Sequence, residues 1–185
     1  MALRVIAGTA GGRKLVAPTG GTRPTTDRVK EALFSSLGRR VEDATVLDLY
    51  AGSGALAIEA LSRGAARAVL VDRDRAAEDA MRANLHTTGF TDVARIRRST
   101  VTTFLAGTAP EAPFDLVFLD PPYEMPSAEL AVAFATLDAA RWVTPAATVV
   151  VERLRSAERV TLPDGWGIEK ERPYGDTLLV VARTG

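Results

Sequence analysis

The sequence of 185 residues contains no cysteine and only one histidine. Without cysteine the chain has neither disulfide bonds nor thiolate ligands for a metal ion. The histidine, His86, lies in a polar helical segment, where a lone histidine is usually solvated. There is also no run of about 18 apolar residues that could span a membrane, and no apolar segment of a signal peptide. We therefore expect a cytoplasmic protein that needs neither a metal nor a membrane.

Charge is balanced over the whole chain but unevenly distributed. The chain has 23 basic and 23 acidic side chains, yet its first 40 residues hold eight Lys and Arg against two Asp and Glu. A basic arm on an acidic body indicates a polyanionic partner that is contacted from the N-terminal end. A solvated charged surface is the alternative interpretation. The candidate contacts in the arm are Arg4, Arg13, Lys14, Arg23 and Arg28.

Apolar, strand-like segments alternate with helical segments after residue 40. The predicted strands are residues 46–50, 68–71, 93–97, 114–119, 148–151, 167–171 and 178–182. The predicted helices are residues 55–62, 75–87, 101–105 and 127–140, the last one with Ser127 as its N-cap. Repeated βα units predict an α/β fold with a mostly parallel sheet, covered on both faces and ending in an antiparallel hairpin.

The first 40 residues have a different pattern from the rest of the chain. Two short apolar segments around a Gly-Gly pair suggest a β-hairpin, and a helix follows it. The apolar positions of this helix are Val29, Leu33, Phe34 and Leu37. We therefore divide the chain into a basic extension, residues 1–40, and a main domain, residues 41–185.

Three chemically marked segments directly follow predicted strands. Gly52, Ser53 and Gly54 follow the first strand, Asp72 ends the second, and Asp120 follows the fourth. Ligands of open α/β sheets bind at the carboxyl ends of the strands. We therefore expect the three segments to meet at one edge of the sheet and to form a single site.

The glycine-rich loop predicts a nucleotide site. Gly52 and Gly54 allow the backbone to approach a ligand closely, and the helix after them offers free N–H groups. Asp72, about 20 residues further on, is placed to accept hydrogen bonds from ribose hydroxyls. The loop alone leaves a dinucleotide open, because the Gly-x-Gly-x-x-Gly pattern sometimes tolerates alanine at its last position, here Ala57.

The segment after the fourth strand is suited to holding a flat amino group. A carboxylate accepts a hydrogen bond from N–H, and two prolines make a stiff loop that offers mainly carbonyl acceptors. A tyrosine supplies a ring on which a base can stack. A surface turn after a buried strand is the alternative interpretation. The candidate catalytic residues are Asp120, Pro121, Pro122 and Tyr123.

These two segments together resemble the cofactor loop and the catalytic motif of class I S-adenosylmethionine-dependent methyltransferases that modify planar exocyclic nitrogens. The resemblance implies a Rossmann-like, seven-stranded fold and favours S-adenosylmethionine over a dinucleotide. It places Asp48 near the cationic methionine end of the cofactor, although capping of the turn explains this acid equally well. The implied cofactor contacts are Asp48, Tyr50, Gly52, Ser53, Gly54, Asp72, Arg73, Ser99 and Val101, with the adenine contact left open between the last two.

A further segment, residues 23–34, reads Arg-Pro-Thr-Thr-Asp-Arg-Val-Lys-Glu-Ala-Leu-Phe. It resembles a segment of the bacterial 16S rRNA guanine-N2 methyltransferases, and residues 4–8, 12–15 and 174–177 are similar to that family as well. The family often has Phe in place of Tyr50 and Asn in place of Ser35. The resemblance covers essentially the whole chain and implies methylation of one guanine of small-subunit rRNA. In this interpretation the basic arm contacts phosphates while the pocket selects the base.

Two alternatives stay open at this point. The same amino-group chemistry fits N6-adenine in DNA or RNA, or a protein glutamine. A non-catalytic module that binds the cofactor and RNA during ribosome assembly is the second alternative. For the main interpretation we expect a monomer acting on an assembled or partly assembled small subunit, because a chain of this size has little surface for reading an RNA sequence.

Overall fold

A seven-stranded mixed sheet forms the centre of the molecule in the computed structural model, which describes residues 3–19, 27–108, 111, 113–140 and 142–185. The strands are β1 Thr45–Leu49, β2 Arg67–Asp72, β3 Ala94–Arg98, β4 Phe114–Leu119, β5 Val143–Leu154, β6 Gly167–Tyr174 and β7 Thr177–Arg183. Their order across the sheet is β3-β2-β1-β4-β5-β7-β6. Strands β1 to β5 are parallel, and β7 pairs antiparallel with both β5 and β6.

Helices cover both faces of this sheet. They are α1 Asp27–Leu37, α2 Ala55–Ser62, α3 Arg75–Thr88, α4 Val101–Leu105 and α5 Ser127–Ala139, with a 3₁₀ turn at Gly38–Val41. Helices α1, α2 and α3 pack in one hydrophobic layer, and α4 and α5 pack in the layer on the other face. All five residues of β1 are buried because helices lie on both sides of it. The predicted α/β fold is therefore confirmed.

The N-terminal extension packs on the layer that contains α1 and α2. Its hairpin has one β-bridge, between Arg4 and Lys14, and its apolar side chains join the same hydrophobic cluster as α2. Glu59 on α2 is fully buried and accepts hydrogen bonds from the N–H groups of Ile6 at 2.7 Å and Ala7 at 3.1 Å. The extension and the main domain thus share one core, and their division at residue 40 stays a prediction about function.

Lys30 on α1 is also fully buried, which is unusual for a lysine. Its Nζ donates a hydrogen bond to the Arg4 carbonyl, and it lies 3.9 Å from Asp27. Burial lowers the pKa of Lys30, while the carboxylates of Glu59 and Asp27 act in the opposite direction. These contacts join the hairpin, α1 and α2 into one unit.

The predicted cap of α5 is wrong. Pro126 occupies the N-cap position, and Ser127 is the first helical residue. The Ser127 hydroxyl donates to the Glu158 carbonyl at 3.2 Å, and so it anchors the loop after β5 to the helix. A serine before an apolar periodic segment is the usual cap signal, but here a tertiary partner competes for the hydroxyl.

In the described parts of the chain, no helix has the length and apolar character that a membrane crossing requires.

Candidate active site

A cavity of about 810 Å³ opens at the carboxyl ends of the parallel strands. The three marked segments of the sequence meet there as predicted, since the cavity is bordered by the loop after β1, the end of β2 and the segment after β4. The predicted site residues that line it are Asp48, Tyr50, Gly52, Ser53, Asp72, Arg73, Ser99, Val101, Asp120 and Pro122. Gly54, Pro121 and Tyr123 do not line it.

The loop between β1 and α2 contains three residues in the left-handed backbone region. Tyr50, Gly52 and Gly54 all have positive φ, at 61°, 54° and 75°. A Cβ at Gly54 would lie 2.6 Å from Leu70 Cδ2, whereas a Cβ at Gly52 would meet no protein atom within 4 Å. Glycine at position 54 therefore lets α2 pack on β2, and glycine at position 52 leaves the cavity open.

Asp72 supports the glycine-rich loop from the neighbouring strand. Its Oδ2 accepts a hydrogen bond from the Gly52 N–H at 2.8 Å, and its Oδ1 accepts one from the Asp74 N–H at 3.0 Å. The side chain is half-buried and borders the cavity. Each carboxylate oxygen has a second lone pair, so Asp72 can hold the loop and still accept hydrogen bonds from a ligand.

Asp48 carries a buried carboxyl group at the floor of the cavity. Its exposed fraction is 1%, and Oδ2 accepts a hydrogen bond from the Ala57 N–H at 3.1 Å. Oδ1 has no hydrogen-bond partner among the described residues. The pKa of Asp48 is raised to about 8, mainly by burial; the Ala57 N–H opposes the shift, and the nearby charge of Asp72 adds to it. An unpaired buried acceptor next to a cavity is suited to a cationic or N–H-bearing ligand group.

The edge formed by β2, β3 and α4 gives the cavity a mixed polar and apolar wall. The Ser99 N–H donates to the Asp72 carbonyl at 2.9 Å, which fixes the end of β3 against β2. Val101 is buried at the start of α4. Arg73 lies 3.8 Å from Asp74, and both side chains are 71% exposed. Arg73 therefore stands at the rim, whereas Ser99 and Val101 lie deeper in the wall.

The segment after β4 follows a strand that pairs with β1, and so it lies beside the start of the glycine-rich loop. The Asp120 N–H donates to the Leu49 carbonyl at 3.4 Å, which links the ends of β4 and β1. Asp120 is half-buried and borders the cavity together with the exposed Pro122. Pro121 is buried, and Tyr123 is half-buried. The Met125 N–H donates to the Pro122 carbonyl at 2.9 Å and closes the turn.

Sequence reasoning did not predict all of the cavity wall. Ala17, Pro18 and Thr19, from the N-terminal extension, border the cavity, and so do Met125 and Glu129 from the other side. The extension therefore supplies part of the pocket as well as a basic surface. No sequence signal marks residues 17–19, because their position depends on where the hairpin packs.

Asn84 on α3 does not line the cavity but holds its glycine-rich loop, and the sequence contains a signal for it. It occupies an interior position of the helix, next to Met81 and Leu85, and is 1% exposed. Its Nδ2 donates to the carbonyls of Ser53 and Val16, each at 2.9 Å, and its Oδ1 accepts from the Val16 N–H at 2.8 Å. A buried amide on an apolar helix face needs partners of this kind, which makes such a position worth noting in a sequence.

The basic side chains of the extension fall into two groups. Arg4 donates to Asp27 at 2.9 Å, and Arg13 donates to the Thr87 carbonyl, so both hold the hairpin on the body of the protein. Lys14 and Arg28 are exposed and make no ion pair with a described residue. Arg23 lies outside the described residues.

The sequence is similar to a protein-family model and to several known proteins. The family model described as "Conserved hypothetical protein 95" matches residues 3–183. The chain belongs to this family. Ribosomal RNA small subunit methyltransferase D of Escherichia coli strain K12 is 39% identical to it over 174 residues, which cover 94% of the chain and 85% of that protein. The candidate rRNA methyltransferase YlbH of Bacillus subtilis strain 168 is 38% identical over 184 residues, 97% of each chain.

Solved structures show the same architecture. The candidate methyltransferase yhhF from Escherichia coli has a TM-score of 0.87 and 37% identity, with 100% of this chain and 98% of that chain covered. An RNA methyltransferase from Salinibacter ruber, solved with S-adenosyl-L-homocysteine, has a TM-score of 0.63 at 17% identity, covering 87% and 93% of the two chains, and so shares the fold. The predicted family and the predicted class I methyltransferase fold are confirmed.

Proposed function

We propose that the protein transfers a methyl group from S-adenosylmethionine to the exocyclic N2 amino group of one guanine in 16S rRNA. One observation carries the proposal: a single cavity joins the glycine-rich loop and Asp72 to Asp120 and Pro122. A donor site and an acceptor clamp in one cavity are what group transfer between two bound molecules requires. The relatives named as rRNA methyltransferases support RNA as the substrate.

The residues of the cavity fit the proposed cofactor. The unpaired Oδ1 of Asp48 matches an ammonium group, and the second lone pairs of Asp72 match two ribose hydroxyls. Gly52 leaves space for a ligand close to the backbone, and Ser99 and Val101 provide the wall for an adenine. When bound, the cofactor supplies an electrophilic methyl group on a sulfonium.

Asp120 and the prolines have the acceptor role in this proposal. The lone pair of an aryl amino nitrogen is delocalised into the base, so the nitrogen is a poor nucleophile. Asp120 and the Pro121 carbonyl accept hydrogen bonds from the two N–H groups of this nitrogen. These hydrogen bonds bias the nitrogen towards a tetrahedral geometry with a directed lone pair. The ring of Tyr123 in the same motif supports a base that has left its stack. Positioning and preorganised acceptors supply the catalysis.

The basic extension has the RNA-binding role. We assign phosphate contacts to Lys14 and Arg28, which are exposed, and to Arg23. Arg4 and Arg13 keep exposed surface beside their intramolecular contacts and add positive charge to the same side. Residues 1–40 thereby position the RNA, and residues 41–185 hold the cofactor and perform the reaction. The expected substrate is an assembled or partly assembled small subunit, and the expected state of the enzyme is a monomer in the cytoplasm.

Methyl transfer with labelled cofactor tests the proposal. The substrates are free small-subunit rRNA and small-subunit particles from cells that lack the enzyme. The expected product after digestion is N2-methylguanosine, formed preferentially in particles. Recovery of N6-methyladenosine would replace the guanine assignment with the adenine alternative. Cofactor-dependent RNA binding without any methyl transfer would identify a non-catalytic module.

A further inference from the structure

A second cavity, of about 300 Å³, lies between α1 and the edge strand β6. The α1 wall has the hydroxyl groups of Ser35 and Ser36, and the β6 wall has Lys170, Arg172 and Tyr174. Its floor is apolar, because Leu179 and Val181 of β7 belong to the hydrophobic layer under α1. We call this cavity the α1–β6 groove.

The basic side chains of the groove have no acidic partner. Lys170 and Arg172 form no ion pair with any residue in the described part of the chain. The carboxylates that flank Lys170 in the sequence have other partners, since Glu169 contacts Arg40 at 2.6 Å and Glu171 lies 4.0 Å from Arg159. In a chain with equal numbers of acidic and basic residues, two adjacent unpaired cations on one strand face are a local positive site.

Arg28 extends this positive site along the other wall. It lies one turn before Ala32 and two turns before Ser35 on α1, and so faces the same side of the helix as the groove. Its side chain is exposed and makes no ion pair with a described residue, and the neighbouring Asp27 contacts Arg4 and Lys30. The predicted RNA contact at Arg28 and the groove thus form one surface.

The groove begins at the same edge of the sheet as the catalytic cavity. Tyr174 pairs with Thr177, which pairs with Leu154 at the carboxyl end of β5, beyond the level at which β4 ends. Three strand spacings separate β6 from β4, roughly 14 Å. A polymer with a nucleotide in the catalytic cavity is therefore within reach of Tyr174 and of the cations behind it.

We propose that the α1–β6 groove binds the phosphate backbone of the RNA next to the target nucleotide. Lys170, Arg172 and Arg28 neutralise phosphates, the serine hydroxyls donate hydrogen bonds to phosphate oxygens, and the ring of Tyr174 stacks on a base or ribose at the mouth of the groove. The inference rests on the proposed function for RNA as the substrate. It adds a second RNA-contacting surface, formed partly by the C-terminal hairpin, to the one proposed for the basic extension.

The test is a charge reversal in the full chain, Lys170→Glu with Arg172→Glu. The matched control is Arg67→Glu with Arg95→Glu, which changes the net charge equally on β2 and β3, at the other end of the sheet, where both residues are exposed. Binding of small-subunit rRNA and of S-adenosylmethionine is measured by titration at several salt concentrations. A neutral pair, Lys170→Gln with Arg172→Gln, separates the loss of contacts from repulsion.

We expect the groove variant to bind RNA roughly tenfold more weakly, with a slope of log Kd against log salt that is smaller by about 1.5 to 2. The neutral pair should show the same reduction in slope. The affinity for S-adenosylmethionine and the melting temperature should equal those of the control. RNA binding that matches the control variant would overturn the proposal.

Two further outcomes separate the groove from the proposed function and from a protein partner. If the wild-type protein binds RNA through the groove but transfers no methyl group, the enzyme assignment fails and the groove stands. If methyl transfer to free rRNA is unchanged in the groove variant and is lost only on particles that contain ribosomal proteins, the groove binds a protein, and the RNA proposal is overturned.

Discussion

The side-chain amide of Asn84 donates a hydrogen bond to the carbonyl of Ser53 at 2.9 Å. The same side chain pairs with both backbone groups of Val16, at 2.8 and 2.9 Å. One buried residue on α3 thus holds the glycine-rich loop and the N-terminal segment that borders the cavity. The N-terminal extension and the glycine-rich loop are therefore joined at one point.

Replacement of Asn84 by Asp should weaken cofactor binding more than it unfolds the protein. The Asp side chain keeps one acceptor for the Val16 N–H but loses the two donated hydrogen bonds and faces two carbonyls, at a cost of about 1–3 kcal/mol. We expect a Kd for S-adenosylmethionine that is roughly tenfold higher, measured by calorimetry. His86→Asn, an exposed change on the same helix, is the control. Unchanged affinity in Asn84→Asp would show that the link has no role in the site.

Asp48 should make cofactor binding depend on pH. Its pKa of about 8 in the folded protein exceeds the ordinary value of 3.8, so the carboxyl is protonated at pH 7. A bound ammonium favours the ionised form, so binding at pH 7 should release a proton, and affinity should rise between about pH 6 and pH 8. Calorimetry in buffers of different ionisation enthalpy measures this release. Binding with no proton exchange at pH 7 would contradict the assigned role of Asp48.

The same pKa shift should reduce stability as the pH rises. Because the folded-state pKa lies above the unfolded-state value, the cost is absent below about pH 4, grows as the unfolded state ionises, and is complete above about pH 8. Asp48→Asn removes this cost. The variant should therefore gain stability over the wild type between pH 4 and pH 8 in chemical denaturation, even though it loses affinity for the cofactor. A constant stability difference over this range would show that Asp48 is not protonated in the folded protein.

Two alanine substitutions in the glycine-rich loop should affect different properties, one mainly the stability of the protein and the other mainly ligand binding. Gly54→Ala places a Cβ 2.6 Å from Leu70 Cδ2 at a φ of 75°, so it should lower stability by about 2–4 kcal/mol through overpacking and backbone strain. Gly52→Ala meets no protein atom within 4 Å and should cost about 1 kcal/mol, but its methyl group projects towards the ligand space. Denaturation and cofactor titration distinguish the two. Equal losses of stability would contradict the packing role of Gly54.

The βα core and its catalytic edge could be predicted from the sequence because their signals are local. Buried strands such as Phe114–Leu119 are continuous apolar runs, and the parallel order brings their carboxyl ends together. The wall formed by residues 17–19 could not be predicted, since it depends on contacts such as Val16 with Asn84, which are 68 residues apart. The ion pair of Arg4 with Asp27 could not be predicted either, because the two residues are 23 positions apart in the sequence.

Asp120 is the residue on which the account of catalysis depends. Its most direct test is single-turnover methyl transfer to small-subunit particles that lack the modification, with Asp120→Ala and Asp120→Asn compared with the wild type. Loss of the acceptor in Asp120→Ala should slow transfer at least about 100-fold, while the Kd for S-adenosylmethionine stays unchanged. Asp120→Asn, which keeps a carbonyl acceptor, should retain more activity than the alanine variant. Transfer by Asp120→Ala at the wild-type rate would contradict the account.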